Sequence, residues 1–119
     1  MSRFFNLKHL EGATRNSLSG LAFAWKGEQA FRHEVIVLAV LFFLLLLTGK
    51  DWENWLLVLG GWIGVMVVEL LNSAIEEAFD LVTTDWNARV KRGKDLASAA
   101  IFLAMLVNFG IWIHVFLVG

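Results

Sequence analysis

The sequence predicts an all-α membrane protein, a helical bundle of three transmembrane helices preceded by an amphipathic surface helix. The helical and membrane parts of that expectation rest on three observations. Of 119 residues, 58% are apolar, well above the 45–50% usual in soluble domains. There is no proline, so nothing removes an amide donor from the interior of a long helix. Three apolar runs stand out, Val35–Leu47, Trp55–Val68 and Leu96–Val118, while the first 27 residues alternate apolar and polar side chains with a helical period.

The surface helix comes first. Leu10, Thr14, Leu18, Leu21 and Trp25 recur at helical spacing, and Glu11, Arg15, Asn16, Ser19 and Lys26 fall mainly elsewhere around the wheel. A moderate apolar stripe of this kind suits a helix lying in the membrane interface. The first apolar run begins only at Val35 and no small-residue cleavage pattern follows it, which argues against a signal peptide.

Each span then has to cross about 30 Å of hydrocarbon at 1.5 Å per residue. The third run is long enough alone. The first two, of 13 and 14 residues, reach only roughly 20 Å and must continue into polar sequence. The first extends backwards through Ala30-Phe31-Arg32-His33-Glu34, and the second forwards through Glu69-Leu70-Leu71-Asn72-Ser73-Ala74-Ile75-Glu76. Ionisable groups therefore lie at or below the membrane surface. The expected boundaries within a single 1–119 domain are a surface helix at 1–27, spans at 28–49, 52–80 and 95–118, and a cytoplasmic loop at 81–94.

Orientation follows from Lys and Arg, which favour the cytoplasmic side. Five lie in residues 1–34 (Arg3, Lys8, Arg15, Lys26, Arg32) and four between spans two and three (Arg89, Lys91, Arg92, Lys94), against Lys50 alone in the first loop. The N-terminus is predicted inside and the C-terminus outside. Trp52 and Trp55 near one surface, and Trp25 and Trp86 near the other, suit aromatic belts, with simple packing as the alternative. With no cysteine, disulfides and thiolate metal sites are excluded.

The chemistry is concentrated on the second span. Counting from Glu69, residues Asn72, Ser73, Glu76 and Asp80 follow at i+3, i+4, i+7 and i+11, which gathers them within about 100° of the helix circumference. Carboxylates within a span are costly and mark functional sites by default. Several on one stripe repel, and a divalent cation relieves that repulsion; for hard oxygen ligands Mg²⁺ is the natural choice, bound by one or two carboxylates together with phosphate oxygens. Glu28, just before the first span, is a further potential ligand. For Glu77 and Asp80 the alternative is that they mark where the span meets water. Glu69 sits one to two turns deeper than Glu76, directly after Val67-Val68, where solvation explains it poorly. Asn72, like Asn108 and His114 in the third span, could instead join helices by hydrogen bonding, and Gly60, Gly61 and Gly64 point to close helix contact.

These residues resemble the prokaryotic diacylglycerol kinase family over nearly the whole chain. Glu69-Leu-Leu-Asn-Ser-Ala-Ile-Glu76 followed by Asp80 carries the family's signature, and Gly93-Lys-Asp-Leu-Ala-Ser-Ala-Ala100 and Glu28-Gln-Ala-Phe-Arg-His-Glu34 match two further blocks. The resemblance implies a homotrimer with active sites shared between neighbouring subunits and ATP-dependent phosphorylation of diacylglycerol to phosphatidic acid. By position it makes Glu69 the catalytic base, and Glu28 and Glu76 the acids holding Mg²⁺ on ATP. Lys94 and Asp95 would contact the nucleotide, with Asp85 and Asn87 in the loop that meets it; Trp86-Asn87 departs from the family's usual pattern there. Asn16 and Ser17 fall where the surface helix nears nucleotide and lipid respectively, Asn16 standing where the family often has an aromatic residue. Ala30, Phe31, Arg32, Glu34 and Ser98 match positions on the lipid side.

Elementary chemistry agrees with these roles. Phosphoryl transfer asks for alignment of a hydroxyl with the γ-phosphate, neutralisation of charge, and a destination for the proton. Neither a G-x-x-x-x-G-K-[ST] loop nor H-R-D or D-F-G motifs occur, which excludes the P-loop and protein-kinase solutions. Undecaprenol kinase, with a polyprenol acceptor, is the alternative within the family. A small oligomeric cation channel or carrier, with the acidic stripe lining its path, and a non-catalytic scaffold are the alternatives outside it.

Overall fold

A computed structural model describes residues 6–118; Arg3, counted above toward orientation, lies outside them. The elements in order are α1 (Leu7–Gly27), α2 (Gln29–Thr48), α3 (Trp52–Val82) and α4 (Ala88–Trp112), the last continued by a π-helical stretch, Ile113–Val118. Among the described residues there is no strand. Three helices are long and apolar enough to cross a membrane: Gln29–Thr48, Trp52–Val82 and Ala88–Val118. The chain is thus an all-α, multi-pass membrane protein.

The chain divides into two units, Met1–His33 and Glu34–Gly119, with the boundary inside α2. In the first unit Asn6 caps α1, its side-chain oxygen accepting from the backbone N–H of Lys8 and His9, two of the donors that a helix start leaves without partners. Glu28 ends α1 in an extended conformation, φ −124° and ψ 111°, while its N–H still donates to the Ala24 carbonyl at 2.9 Å. Arg32 then donates from Nη1 to the carbonyls of Trp25 at 2.7 Å and Lys26 at 3.2 Å. A cation on the terminal carbonyls of a helix also complements its dipole.

In the second unit α2 and α3 form a hairpin. Gly49 takes the left-handed conformation, φ 63°, that ends a helix cheaply only for glycine. Asp51 caps α3 by accepting from the N–H of Asn54, and Trp55 donates its indole N–H to the Lys50 carbonyl at 3.2 Å while its ring meets Phe42 edge-on at 5.2 Å. Both α2 and α3 run through the polar sequence beyond their apolar runs, as a bilayer crossing requires.

Helices α3 and α4 pack antiparallel. Phe79 lies against Gly93, Asp80 pairs with Lys94, and Trp62 meets Trp112, so contact positions rise along one helix as they fall along the other. Two glycines permit the approach. A Cβ on Gly93 would run into the Phe79 ring, and one on Gly61 would stand 2.9 Å from Ile111 Cδ1 and 3.0 Å from Asn108 Oδ1. Asn108 is 1% exposed and neither atom of its amide makes a hydrogen bond. It therefore fills space beside Gly61 and does not join helices by hydrogen bonding, because the glycine that admits it presents no side-chain partner.

Helix α4 starts at Ala88, seven residues before the span boundary expected at 95. Asn87 explains the early start, since its side-chain oxygen accepts from the N–H of Arg89 at 2.9 Å and of Val90 at 3.2 Å. The buried core of this unit includes Leu41, Leu45, Val58, Trp62, Val65, Met66, Ala97 and Val115. Many large apolar side chains, among them Phe43, Leu46, Phe102 and Leu103, are exposed; the solvent for those faces is lipid or further protein, not water.

Candidate active site

The acidic stripe occupies the last three turns of α3. Glu69, Asn72 and Ser73 are half-buried and Glu76 and Asp80 are exposed, so the stripe passes from interior to surface along one face. Seven residues separate Glu69 from Glu76, about 10 Å along the axis. Asn72 has a defined place between them: its amide nitrogen donates to Glu76 Oε1 at 2.6 Å. A neutral donor one turn away turns the Glu76 carboxylate and offsets part of its charge without neutralising it.

The α3–α4 connection completes the outer end. Lys94, half-buried, reaches Asp80 at 2.9 Å, and Lys91 reaches Asp95 at 2.6 Å one turn along α4. A cavity of about 290 Å³ is lined by Asp80, Thr83, Thr84, Asp85, Trp86, Asn87, Val90, Lys91 and Lys94. It gathers three expected nucleotide contacts, Asp85, Asn87 and Lys94, with Asp80 of the stripe and with Thr83, Thr84 and Val90, which the sequence did not single out. The connection is shaped locally: Asp85 donates its N–H to Thr83 Oγ1 at 3.1 Å, and the Asn87 side-chain oxygen is occupied by the α4 cap. An Asn immediately before a helical pattern is a legible N-cap signal, and the cap sets Asn87 at the wall of the cavity. Asp95, also expected at the nucleotide, does not line this cavity and is exposed on α4 beside Lys91.

The remaining expected residues are dispersed. Ser98 is exposed on α4, one turn beyond Lys94. Glu34, in contrast, is 9% exposed, and Trp62 donates its indole N–H to the Glu34 main-chain carbonyl at 2.8 Å. In the first unit Ser17 donates its hydroxyl to the Ala13 carbonyl of its own helix at 3.0 Å, Asn16 and Ala30 are exposed, Glu28 is half-buried at the α1–α2 break, Phe31 is buried, and Arg32 closes the end of α1.

Two carboxylates with phosphate oxygens are a sufficient protein share for Mg²⁺. Among the described residues no three His, Asp or Glu side chains gather as a preformed cage. The oriented, exposed carboxylate of Glu76 is nevertheless a fitting hard ligand, and Glu28 offers the same donor type.

The family model of prokaryotic diacylglycerol kinase matches residues 15–116. The chain belongs to this family of enzymes. The diacylglycerol kinase of Haemophilus influenzae is 36% identical over 112 residues, covering 94% of this chain and 95% of the relative. That of Helicobacter pylori strain 26695 is 40% identical over 106 residues, covering 88% and 82%. That of Escherichia coli K12 is 33% identical over 96 residues, covering 81% and 79%. The matched span takes in all of α2, α3 and α4, so the acidic stripe and the Lys94 pair both fall within it.

Proposed function

We propose that this chain transfers the γ-phosphoryl group of ATP to the hydroxyl of 1,2-diacylglycerol, giving phosphatidic acid and ADP, at the cytoplasmic face of the membrane. The observation that carries this is the graded face of α3, with Glu69 half-buried about 10 Å deeper than the exposed Glu76. A soluble nucleotide arrives from the aqueous end of such a face, and a lipid alcohol arrives sideways from the bilayer. The stripe offers each a carboxylate at its own depth.

In this reaction Glu69 accepts the proton of the lipid hydroxyl as its oxygen bonds to the γ-phosphorus, and the bond to the β–γ bridging oxygen breaks to release ADP. Lys94, exchanging Asp80 for phosphate, offsets charge on the transferring group. Asn72 keeps Glu76 oriented. Mg²⁺, held by Glu76 and Glu28, would supply neutralisation of the phosphate charge. The Lys/Arg distribution supports a cytoplasmic N-terminus and α3–α4 connection. The family resemblance supports a homotrimer, and three thin spans are few to enclose both ATP and a lipid.

The test is phosphorylation by the purified protein in mixed micelles with labelled ATP and Mg²⁺, offering diacylglycerol and undecaprenol in parallel. Label on diacylglycerol is expected. Label on undecaprenol alone transfers the assignment to a polyprenol kinase, and label on neither rejects the kinase assignment.

A further inference from the structure

We infer that Trp62 is a positioning residue that holds the acceptor-lipid side of the site in register with Glu69; this rests on the function proposed above. Trp62 stands seven residues before Glu69, on the same face of α3 and about 10 Å deeper. It is 6% exposed. Its indole N–H donates to the Glu34 carbonyl of α2 at 2.8 Å, and its ring lies against Trp112 of α4 with centroids 5.6 Å apart and planes 31° from parallel. One side chain thus joins all three long helices at the buried end of the acidic face.

The bond to Glu34 is informative because of where it falls. Inside a helix that carbonyl already accepts from the N–H four residues on, so the indole uses its second lone pair. The indole N–H, buried in an apolar span, is costly unless paired, and few acceptors exist at that depth. The pairing therefore fixes the level of α2 against α3 at Glu34, the residue whose side chain is expected on the lipid. The Phe42–Trp55 contact lies toward the opposite end of the hairpin. Sliding α2 by one residue would move Glu34 about 1.5 Å relative to Glu69, enough to misplace a bound hydroxyl against its base.

The experiment compares Trp62→Phe, which keeps a ring against Trp112 but removes the donor, with Trp62→Val, which removes both. Each is assayed in mixed micelles with diacylglycerol titrated at saturating ATP and ATP titrated at saturating lipid. Trp62→Phe is expected to raise the KM for diacylglycerol by about threefold to tenfold, the range of one lost hydrogen bond. It is expected to leave the KM for ATP within about twofold, a split that general loosening of the fold does not produce. Trp62→Val is expected to raise the lipid KM further. An unchanged lipid KM in Trp62→Phe, or equal rises for both substrates, overturns the inference while the function stands. A parent protein that phosphorylates no lipid rejects the function and the inference together.

Discussion

Substitution of Gly61 by alanine should change sign in its effect on stability according to what stands at position 108. In a helix interior, alanine is favoured over glycine by about 1 kcal/mol. Against that, the new methyl would meet Asn108 Oδ1 at 3.0 Å and Ile111 Cδ1 at 2.9 Å, and overpacking of a tight contact costs about 1–3 kcal/mol. Ile111 Cδ1 is the end of a flexible side chain and can give way. Asn108, 1% exposed, has no such room. Gly61→Ala should therefore destabilise the parent by up to about 2 kcal/mol. Asn108→Ala removes the obstructing oxygen and also a buried amide that makes no hydrogen bond, so its own cost is small. On that background Gly61→Ala should be neutral or stabilising, a coupling of about 1 kcal/mol or more. Reversible unfolding in detergent micelles, followed by tryptophan fluorescence for the four proteins of the cycle, measures it. Equal effects of Gly61→Ala on both backgrounds would refute the account of why glycine stands there.

Three further substitutions test the site. Glu69→Gln should remove turnover by about 10²-fold or more, as expected for loss of a general base, with nucleotide affinity little changed; activity equal to the parent would reject Glu69 as the base. Glu76→Gln should raise the Mg²⁺ concentration needed for half-maximal activity, read from a metal titration at fixed ATP, and an unchanged titration would remove Glu76 from the metal. Asp80→Asn breaks an ion pair whose side chains are 54% and 37% exposed. It should cost less than about 1 kcal/mol of stability and less still in high salt, whereas a loss of several kcal/mol would mean the pair is buried by a neighbouring chain.

How far the sequence disclosed this structure depended on the range of the interaction responsible. Helix type and span number follow from local composition and the absence of proline. Continuation of α2 and α3 into polar sequence follows from bilayer thickness. The grouping of Glu69, Asn72 and Glu76 follows from helical period alone, and the 2.6 Å bond from Asn72 to Glu76 is what spacing of four residues provides. Asn87 is legible as a cap from its place immediately before a helical pattern. The long-range pairs were not legible. Nothing near Asp80 in the chain announces Lys94, fourteen residues on, and nothing near Trp62 announces Glu34. Asn108 is instructive in the other direction. A polar residue in a span suggested hydrogen bonding between helices, yet its neighbour across the interface is a glycine, so packing volume decided its place.

The seven-residue recurrence of Trp62, Glu69 and Glu76 on α3 sets three side chains at three depths of one face, and the proposed function assigns one carboxylate to each substrate. Seven residues turn an ideal helix only about 20° short of two full turns, so successive members share a face while each is about 10 Å further along. The helix thereby offers one surface with an aromatic donor at its buried end, a half-buried carboxylate in the middle and an exposed carboxylate at the outer end. Trp62 meets α2 at the Glu34 carbonyl, and one turn beyond Glu76 the stripe reaches Asp80, which lines the Lys94 cavity. Moving Glu69 by one residue would turn it about 100° off that face, and moving it by three or four would keep the face but change the depth. A scan placing the carboxylate at 65, 66, 72 or 73 in a Glu69→Gln background therefore separates the two requirements. If face alone mattered, Val65→Glu or Ser73→Glu, each about 40° from Glu69 around the helix, would restore turnover. With depth also required, none of the four restores it.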